Sequence, residues 1–373
     1  MNPEQFLNTI KDQEIGQIAS KIFENKRITL NEGLALYKKA ELSILAVLAN
    51  YSKKLLTGKK VFFNKNIHIE PTNICIYNCK FCSYSRKKGE PGSWELTEEE
   101  ILNSVKKYKN SDITEIHIVG GTHPHWDTFY WSNILKKIKG IIPAIFIKAF
   151  TAVELDNMFR KSGLTVKEGI RILKNSGLDA IPGGGAEIFN SNIRNKICHE
   201  KTSGKEWLKI HEIAHTEGIK SNATILYGHI EKYEHRLEHM ELLRNLQDKT
   251  KGFSAFIPLK YKSSNNEMQQ IGEVSITEDL KNYAMSRIYL DNFKHIKAYW
   301  PMLGKKYIPV SLAFGVDDLD GTIKDTTKIY SMAGADDQSP SMTETEIIEL
   351  IKNEGFIPAE RDTIYNEIKV YNE

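Results

Sequence analysis

Cysteine is scarce in this chain. Four residues in 373 cannot build a disulfide scaffold. An excess of either charge is also missing. Lys and Arg total 51 against 48 Asp and Glu, a formal net charge of +3. A surface that tracks phosphates needs a basic surplus, so nucleic acid is not an expected partner. Long apolar runs are absent. The most apolar stretches, Ser43–Ala49 and Ile141–Ile147, fall far short of the ~20 residues of a membrane span. The first residues, MNPEQFLNTIKDQEIGQIAS, carry Glu4 and Asp12 and lack the basic start and apolar middle of an export signal. A cytoplasmic location is therefore expected. There is no repeat, no low-complexity tract and no Pro/Gly/Ser-rich linker in the middle of the chain.

What is present is a rhythm. Short β-rich runs end in Gly, Pro or polar residues, and amphipathic stretches follow them. The runs are Val61–Ile69, Glu115–Val119, Ala144–Phe150, Ala180–Pro182, Ser221–Tyr227, Phe253–Pro258, Ile296–Trp300 and Pro309–Phe314. Between them, Thr97–Tyr108, Trp126–Ile138, Thr165–Lys174, Lys205–Glu217, Tyr233–Asp248 and Thr277–Asn292 place apolar residues near i, i+3, i+4 and i+7. Such alternation implies parallel strands with crossover helices. Eight of them predict an α/β fold, a (β/α)8 TIM-like barrel over residues 61–373 with a closing helix near Glu344–Asn353. Residues 1–60, helical by pattern over Glu32–Ser52 especially, form an N-terminal helical extension that covers the barrel's bottom or side.

Active sites of such barrels lie at the C-terminal ends of the strands. Those ends here read Glu70-Pro-Thr-Asn, Gly120-Gly-Thr-His-Pro-His, Lys148-Ala-Phe-Thr, Gly183-Gly-Gly-Ala-Glu, Gly228-His-Ile-Glu, Leu259-Lys-Tyr and Asp317-Asp-Leu-Asp-Gly. Three of the four cysteines follow the first strand, as Cys75-Ile-Tyr-Asn-Cys79-Lys-Phe-Cys82. In a non-secreted chain a tight cysteine group points to metal. A closed zinc site takes four protein ligands, and the fourth here would be distant Cys198 or a His. On a [4Fe–4S] cluster the three would leave one iron open for chemistry. Cys198 reads most simply as a plain thiol near a helix start.

The C-x3-C-x-Phe-C pattern resembles the signature of radical S-adenosylmethionine (SAM) enzymes, with Phe81 in their aromatic position. The resemblance implies a [4Fe–4S] cluster on Cys75, Cys79 and Cys82. Its open iron binds SAM, and one electron breaks the sulfonium bond to give a 5′-deoxyadenosyl radical. It further implies SAM contacts at Gly120, Gly121 and Thr122, where backbone faces the methionine amino group. Glu187 would accept the ribose hydroxyls, and Ile225, Tyr227 and Gly228 would flank adenine.

The resemblance narrows at Pro182-Gly-Gly-Gly-Ala-Glu-Ile, Asn222-Ala-Thr-Ile-Leu-Tyr-Gly-His-Ile-Glu231, Gly252-Phe-Ser-Ala-Phe-Ile-Pro258 and Asp317-Asp-Leu-Asp-Gly-Thr322. These segments resemble the radical SAM enzymes of the futalosine route to menaquinone. The chain is more similar to the aminodeoxyfutalosine synthases than to the dehypoxanthine futalosine cyclases. Ile147–Glu154 and Asn222–His229 carry that preference. Thr122 departs from the pattern, where a larger apolar residue is usual.

The synthases are transferases that add the adenosyl radical to the double bond of 3-[(1-carboxyvinyl)oxy]benzoate. Aryl migration and decarboxylation follow. Ferredoxin or flavodoxin would supply the electron. His123, Asp317 and Asp320 are the candidate catalytic residues, with His125, His229 and Asp318 beside them. Arg86, Lys148 and Lys260 are candidate partners of the substrate carboxylates. A cyclase, or a non-catalytic iron–sulfur or zinc protein, are the alternatives.

Overall fold

Asn64 and Lys65 divide the first β-rich run in two. In the computed structural model, which describes residues 2–322, 328–335 and 340–372, the halves are β1 (Lys60–Phe63) and β2 (Asn66–Ile69). They join different parts of one sheet. β2 pairs in parallel with β3 (Glu115–Ile118), whereas β1 pairs with β9 (Asp318–Leu319) and β10 (Ile357–Arg361). The remaining strands are β4 (Phe146–Ala149), β5 (Ala180–Ile181), β6 (Lys220–Tyr227), β7 (Phe253–Lys260), β8 (His295–Ala298) and β11 (Glu367–Val370).

From β2 to β9 each strand lies beside the next in the chain, and all pair in parallel. This is the expected order of a (β/α)8 barrel, curled rather than ringed by one continuous ladder. β1 and β10 extend the parallel order beyond β9, and β11 adds an antiparallel edge. Side chains and turns sew the seam. Thr322 donates from its backbone N–H to Asn64 O at 3.2 Å and from its hydroxyl to Asn66 O at 3.2 Å. Thr363 Oγ1 donates to Glu115 Oε2 at 2.8 Å, and Arg361 holds Asp318 with two bonds of 2.5 and 2.9 Å.

Helices cover the outside of the sheet. Several start on a capping box, a Thr followed three residues later by Glu. Thr97–Glu100, Thr151–Glu154, Thr165–Glu168 and Thr343–Glu346 all form it. The helix Ala152–Lys161 is absent from the periodicity reading, yet Thr151-Ala-Val-Glu154 announces it.

Two strand expectations need correction. Pro309–Phe314 is not a strand. Ile308–Leu312 is a short helix with proline in its first turn, where the missing N–H is harmless. The strand in that part of the sheet is β9, only two residues long. Trp300, expected at a strand end, begins the helix Trp300–Leu303. Glu32–Ser52 is helical, in two helices, Leu30–Lys39 and Leu42–Thr57, divided by extended backbone at Ala40. The two strands β10 and β11 went unread.

The N-terminal helices pack on the barrel's side. Leu42–Thr57 lies along Ile276–Tyr289, and Leu30–Lys39 along Tyr233–Thr250. Tyr37 donates its hydroxyl to Asn282 Oδ1 at 2.7 Å at this junction. Among the described residues, no helix is long and apolar enough to cross a membrane.

Candidate active site

The loop after β2 carries the cysteines, and the surrounding backbone fixes it on several sides. Cys75 N–H donates to Arg86 O at 3.0 Å, Ile76 N–H to Thr122 O at 3.0 Å and Lys80 N–H to Ile197 O at 2.9 Å. The turn itself closes through Cys82 N–H to Cys79 O at 3.0 Å. The Lys87 ammonium caps the carbonyls of Cys75 and Ile76 at 3.0 and 3.2 Å. Gly121 lies against this loop. A Cβ there would sit 2.3 Å from Ile74 O, and one on Gly120 would sit 2.6 Å from Thr72 O. Only glycine permits that approach.

Cys75, Cys79 and Cys82 line one wall of a cavity of about 270 Å³ at the C-terminal ends of the strands. All three are free and half-buried, and Cys198 is a buried free thiol. Burial pushes the Cys75 and Cys79 thiols above their ordinary value, so it is bound metal that would hold them as thiolates. Three free thiols on a cavity wall fit a cluster that leaves one iron open. Among the described residues, no three His, Cys, Asp or Glu groups are gathered for a single metal ion.

Beside the thiols stand Phe81, Gly120, Gly121, Thr122 and Glu187, all on the cavity lining. Glu187 has a left-handed φ of 48° and pairs with Lys201 Nζ at 2.5 Å. Burial would raise its carboxyl, but Lys201 more than offsets this and holds it below the usual range. Lys201 also lies 5.5 Å from the Phe81 ring. Sequence reasoning missed Lys201, because the spacing to Glu187 gives no sign of the contact.

Strand alternation sends the side chains of β6 to two faces. Asn222, Thr224 and Leu226 line the cavity, and Ile225 and Tyr227 do not. Tyr227 points outward, where its hydroxyl donates to Asp279 at 2.9 Å. Ile225 is buried in the hydrophobic core. Gly228 is turned away from the lining, and its N–H donates to Glu231 at 2.7 Å.

The candidate catalytic residues separate. Asp320 lines the cavity floor. Burial opposes its ionisation, but the ammonium groups of Lys297 and Lys148 hold its carboxyl far below the usual range. Asp317 is fully buried away from the cavity, bound to Arg287 and, at 2.7 Å, to His295. Asp318 is likewise taken up by Arg361 and by Lys297 at 3.5 Å. His123 stands in a small neighbouring pocket, stacked on Trp126 at 4.1 Å, with Nε2 2.8 Å from Glu95. The His125 N–H donates to His123 Nδ1 at 3.2 Å. His229 is spent on Leu226 O at 3.1 Å and on Glu231.

Of the candidate cations, Lys148 and Lys260 face the cavity. Lys148 pairs with Glu115 at 2.6 Å, and Lys260 with Asp279 at 2.9 Å. Arg86 does not face it, because its guanidinium is bound to Ser83 O and Ser85 O at 3.0 and 2.8 Å. His117 and Lys297 complete the floor. Both come from strand interiors, which the reading of strand ends passed over. Tyr299, Ile329 and Tyr330 line the opposite side. There Glu70 accepts the N–H groups of Lys328 and Ile329 at 3.0 and 3.4 Å.

The family model described as the Radical SAM superfamily matches residues 69–243. A second, described as the CofH/MqnC C-terminal region, matches residues 250–373. An aminodeoxyfutalosine synthase of Thermus thermophilus is 41% identical over 97% of this chain and 98% of its own length. One of Streptomyces coelicolor is 35% identical, covering 95% and 94%. A 5-amino-6-(D-ribitylamino)uracil–L-tyrosine 4-hydroxyphenyl transferase of Methanococcus vannielii is 36% identical, covering 93% and 98%. Among solved structures, methylornithine synthase (PylB) superposes with a TM-score of 0.73 at 16% identity, over 92% of this chain and 97% of that one. The hydrogenase maturase HydG of Carboxydothermus hydrogenoformans does so at 0.73 and 21%, over 97% and 83%. At such identities these two structures speak for the fold alone.

Proposed function

The chain belongs to the radical SAM superfamily, and from that membership we propose that it is an aminodeoxyfutalosine synthase. In this reading it joins the 5′-deoxyadenosyl group of SAM to the vinyl carbon of 3-[(1-carboxyvinyl)oxy]benzoate. The aryl group migrates from oxygen to carbon, and one carboxylate leaves as the carbon dioxide radical anion, which returns one electron to the oxidised cluster and becomes carbon dioxide, giving 6-amino-6-deoxyfutalosine. The observation that carries the reading is 41% identity to a relative of that name across nearly all of both chains.

When bound, the cluster and SAM together supply a one-electron cleavage that releases the adenosyl radical. The chain's own residues do the positioning. Cys75, Cys79 and Cys82 hold the cluster, and the close packing of Gly121 on Ile74 sets the height of their loop. Gly120 and Gly121 offer bare backbone to the methionine end of SAM. Glu187, oriented by Lys201, offers its second oxygen to the ribose hydroxyls. Leu226 and Thr224 flank the base from β6. Asp320 and Lys148 orient the second substrate on the floor, and Tyr299 and Tyr330 keep water from the reacting carbons. A small electron donor, a ferredoxin or flavodoxin, would deliver the electron.

The second reading is the reaction named for the methanogen relatives, favoured by their 36% identity over 93% of the chain. A substrate panel separates the readings. Reduced holoenzyme with SAM is offered the enolpyruvyl benzoate, dehypoxanthine futalosine, or tyrosine with 5-amino-6-(D-ribitylamino)uracil. Mass spectrometry should find product only with the first. Turnover of either other substrate alone would replace the reading.

A further inference from the structure

His68 on β2, His117 on β3 and Lys148 on β4 are direct partners in the sheet register. Residues paired in this way project to the same face. Three basic side chains thus stand in a row inside the barrel, and His117 and Lys148 reach the cavity. The two imidazole rings lie 4.6 Å apart.

The surrounding charges already balance. Lys148 pairs with Glu115 at 2.6 Å. Lys297 stands 3.5 Å from both Asp318 and Asp320, and Arg361 binds Asp318. Three cations therefore meet three carboxylates, provided both imidazoles are neutral. Burial does keep them so. It holds His117 well below its ordinary value, assisted by His68 and Lys148 and opposed by Glu115 and Asp320. His68 is lowered by the same cause, with Lys297 among its neighbours. His68, Glu115, Lys148, Lys297 and Asp320 are the ionisable groups around the His117 ring.

His117 is the loose member of this set. Among the described residues neither ring nitrogen has a hydrogen-bond partner, and Nδ1 is a buried orphan. Buried polar atoms without partners are rare in a native fold. This one lies in a floor whose net charge is zero. An incoming carboxylate would add an uncompensated charge at a site of low dielectric. The group free to answer it is His117.

We propose that the cavity floor is a carboxylate subsite in which Lys148 supplies the standing charge and His117 takes up one proton as the ligand binds. The proton comes from solvent, no covalent bond changes, and the ligand stays ionised. The assignment of its natural occupant rests on the proposed function, whose substrate carries two carboxylates.

Calorimetry on the anaerobic holoenzyme, without reductant so that nothing turns over, tests this. The probes are 3-[(1-carboxyvinyl)oxy]benzoate and, in parallel, isophthalate, a plain aromatic dicarboxylate. Each is titrated in buffers of low and high ionisation enthalpy. About one proton should be taken up per ligand near pH 7, and affinity should fall about tenfold per pH unit between the free and the liganded values of His117 and level off above the latter. In His117→Gln the uptake should vanish and the pH dependence flatten, whereas His68→Gln should retain both. Binding of either probe without proton uptake in the unmutated protein overturns the proposal, whatever the variants do. So does uptake that survives His117→Gln. If isophthalate binds with uptake and the enolpyruvyl compound does not bind, the subsite stands and the proposed function falls. If neither binds, both fall.

Discussion

Lys201 and Glu187 form an ion pair of 2.5 Å on the cavity wall, beside the cysteine loop. Their side chains are only 14% and 9% exposed. Removing one partner of a buried pair strands the other and costs about 3–5 kcal/mol.

Lys201→Met should therefore lower stability by about that amount at neutral pH. The sign with pH follows from Glu187. In the intact protein its carboxyl lies below the ordinary 4.5. Its contribution is full above that value and lost as pH falls through the folded value. In the variant, burial is opposed only by Arg194 and His229, and the carboxyl should rise. The deficit should then shrink from pH 7 toward pH 5 as Glu187 takes up a proton. Urea unfolding at the two pH values checks this, and a deficit that stays constant would contradict the pairing.

Glycine at 121 answers to backbone, not to a flexible side chain. Gly121→Ala should push the cysteine loop away and lower both iron content and thermal stability. Gly16 is the internal control, since nothing lies within 4 Å of a Cβ built there, inside the helix Gln13–Phe23. Gly16→Ala should raise stability by about 0.5–1 kcal/mol and leave iron unchanged. Iron analysis and melting curves on both variants read the contrast.

The four cysteines should divide three to one. Alanine at Cys75, Cys79 or Cys82 should abolish the brown visible absorption of the reconstituted protein. Cys198→Ala should keep it, because that thiol is buried and absent from the cavity lining. Loss of iron in Cys198→Ala would make it a ligand.

Arg361 ties the late strand β10 to β9 through Asp318. Both side chains are almost wholly buried. Arg361→Met should destabilise the protein by about 3–5 kcal/mol, measurable as a lower urea midpoint. An unchanged midpoint would mean that the seam does not depend on this pair.

The legible parts of the chain were those with local signals. The helices Glu98–Lys106 and Val166–Asn175 follow from apolar spacing and a capping Thr. The cysteine wall was legible in the C-x3-C-x2-C spacing, and the glycines beside it through the resemblance to radical SAM enzymes. The break at Asn64 was not legible, because it is set by Thr322, which lies far along the chain. Pro309–Phe314 misled because a short apolar run suits a strand or a buried helix equally. The floor of the cavity was hidden for a related reason. His117 and Lys148 meet only through strand register, and Lys201 reaches Glu187 only through the fold. Which residues of β6 face the cavity was hidden as well, since Thr224 and Leu226 rather than Ile225 and Tyr227 line it.

The central claim is that the adenosyl group ends in the product rather than leaving as a by-product. SAM carrying carbon-13 in its ribose tests this directly, with reduced holoenzyme and 3-[(1-carboxyvinyl)oxy]benzoate under anaerobic conditions. The account predicts the label in a single adduct, with the mass of the substrate acid plus the adenosyl group less one carboxyl group (CO2H). Label found wholly in free 5′-deoxyadenosine would contradict it.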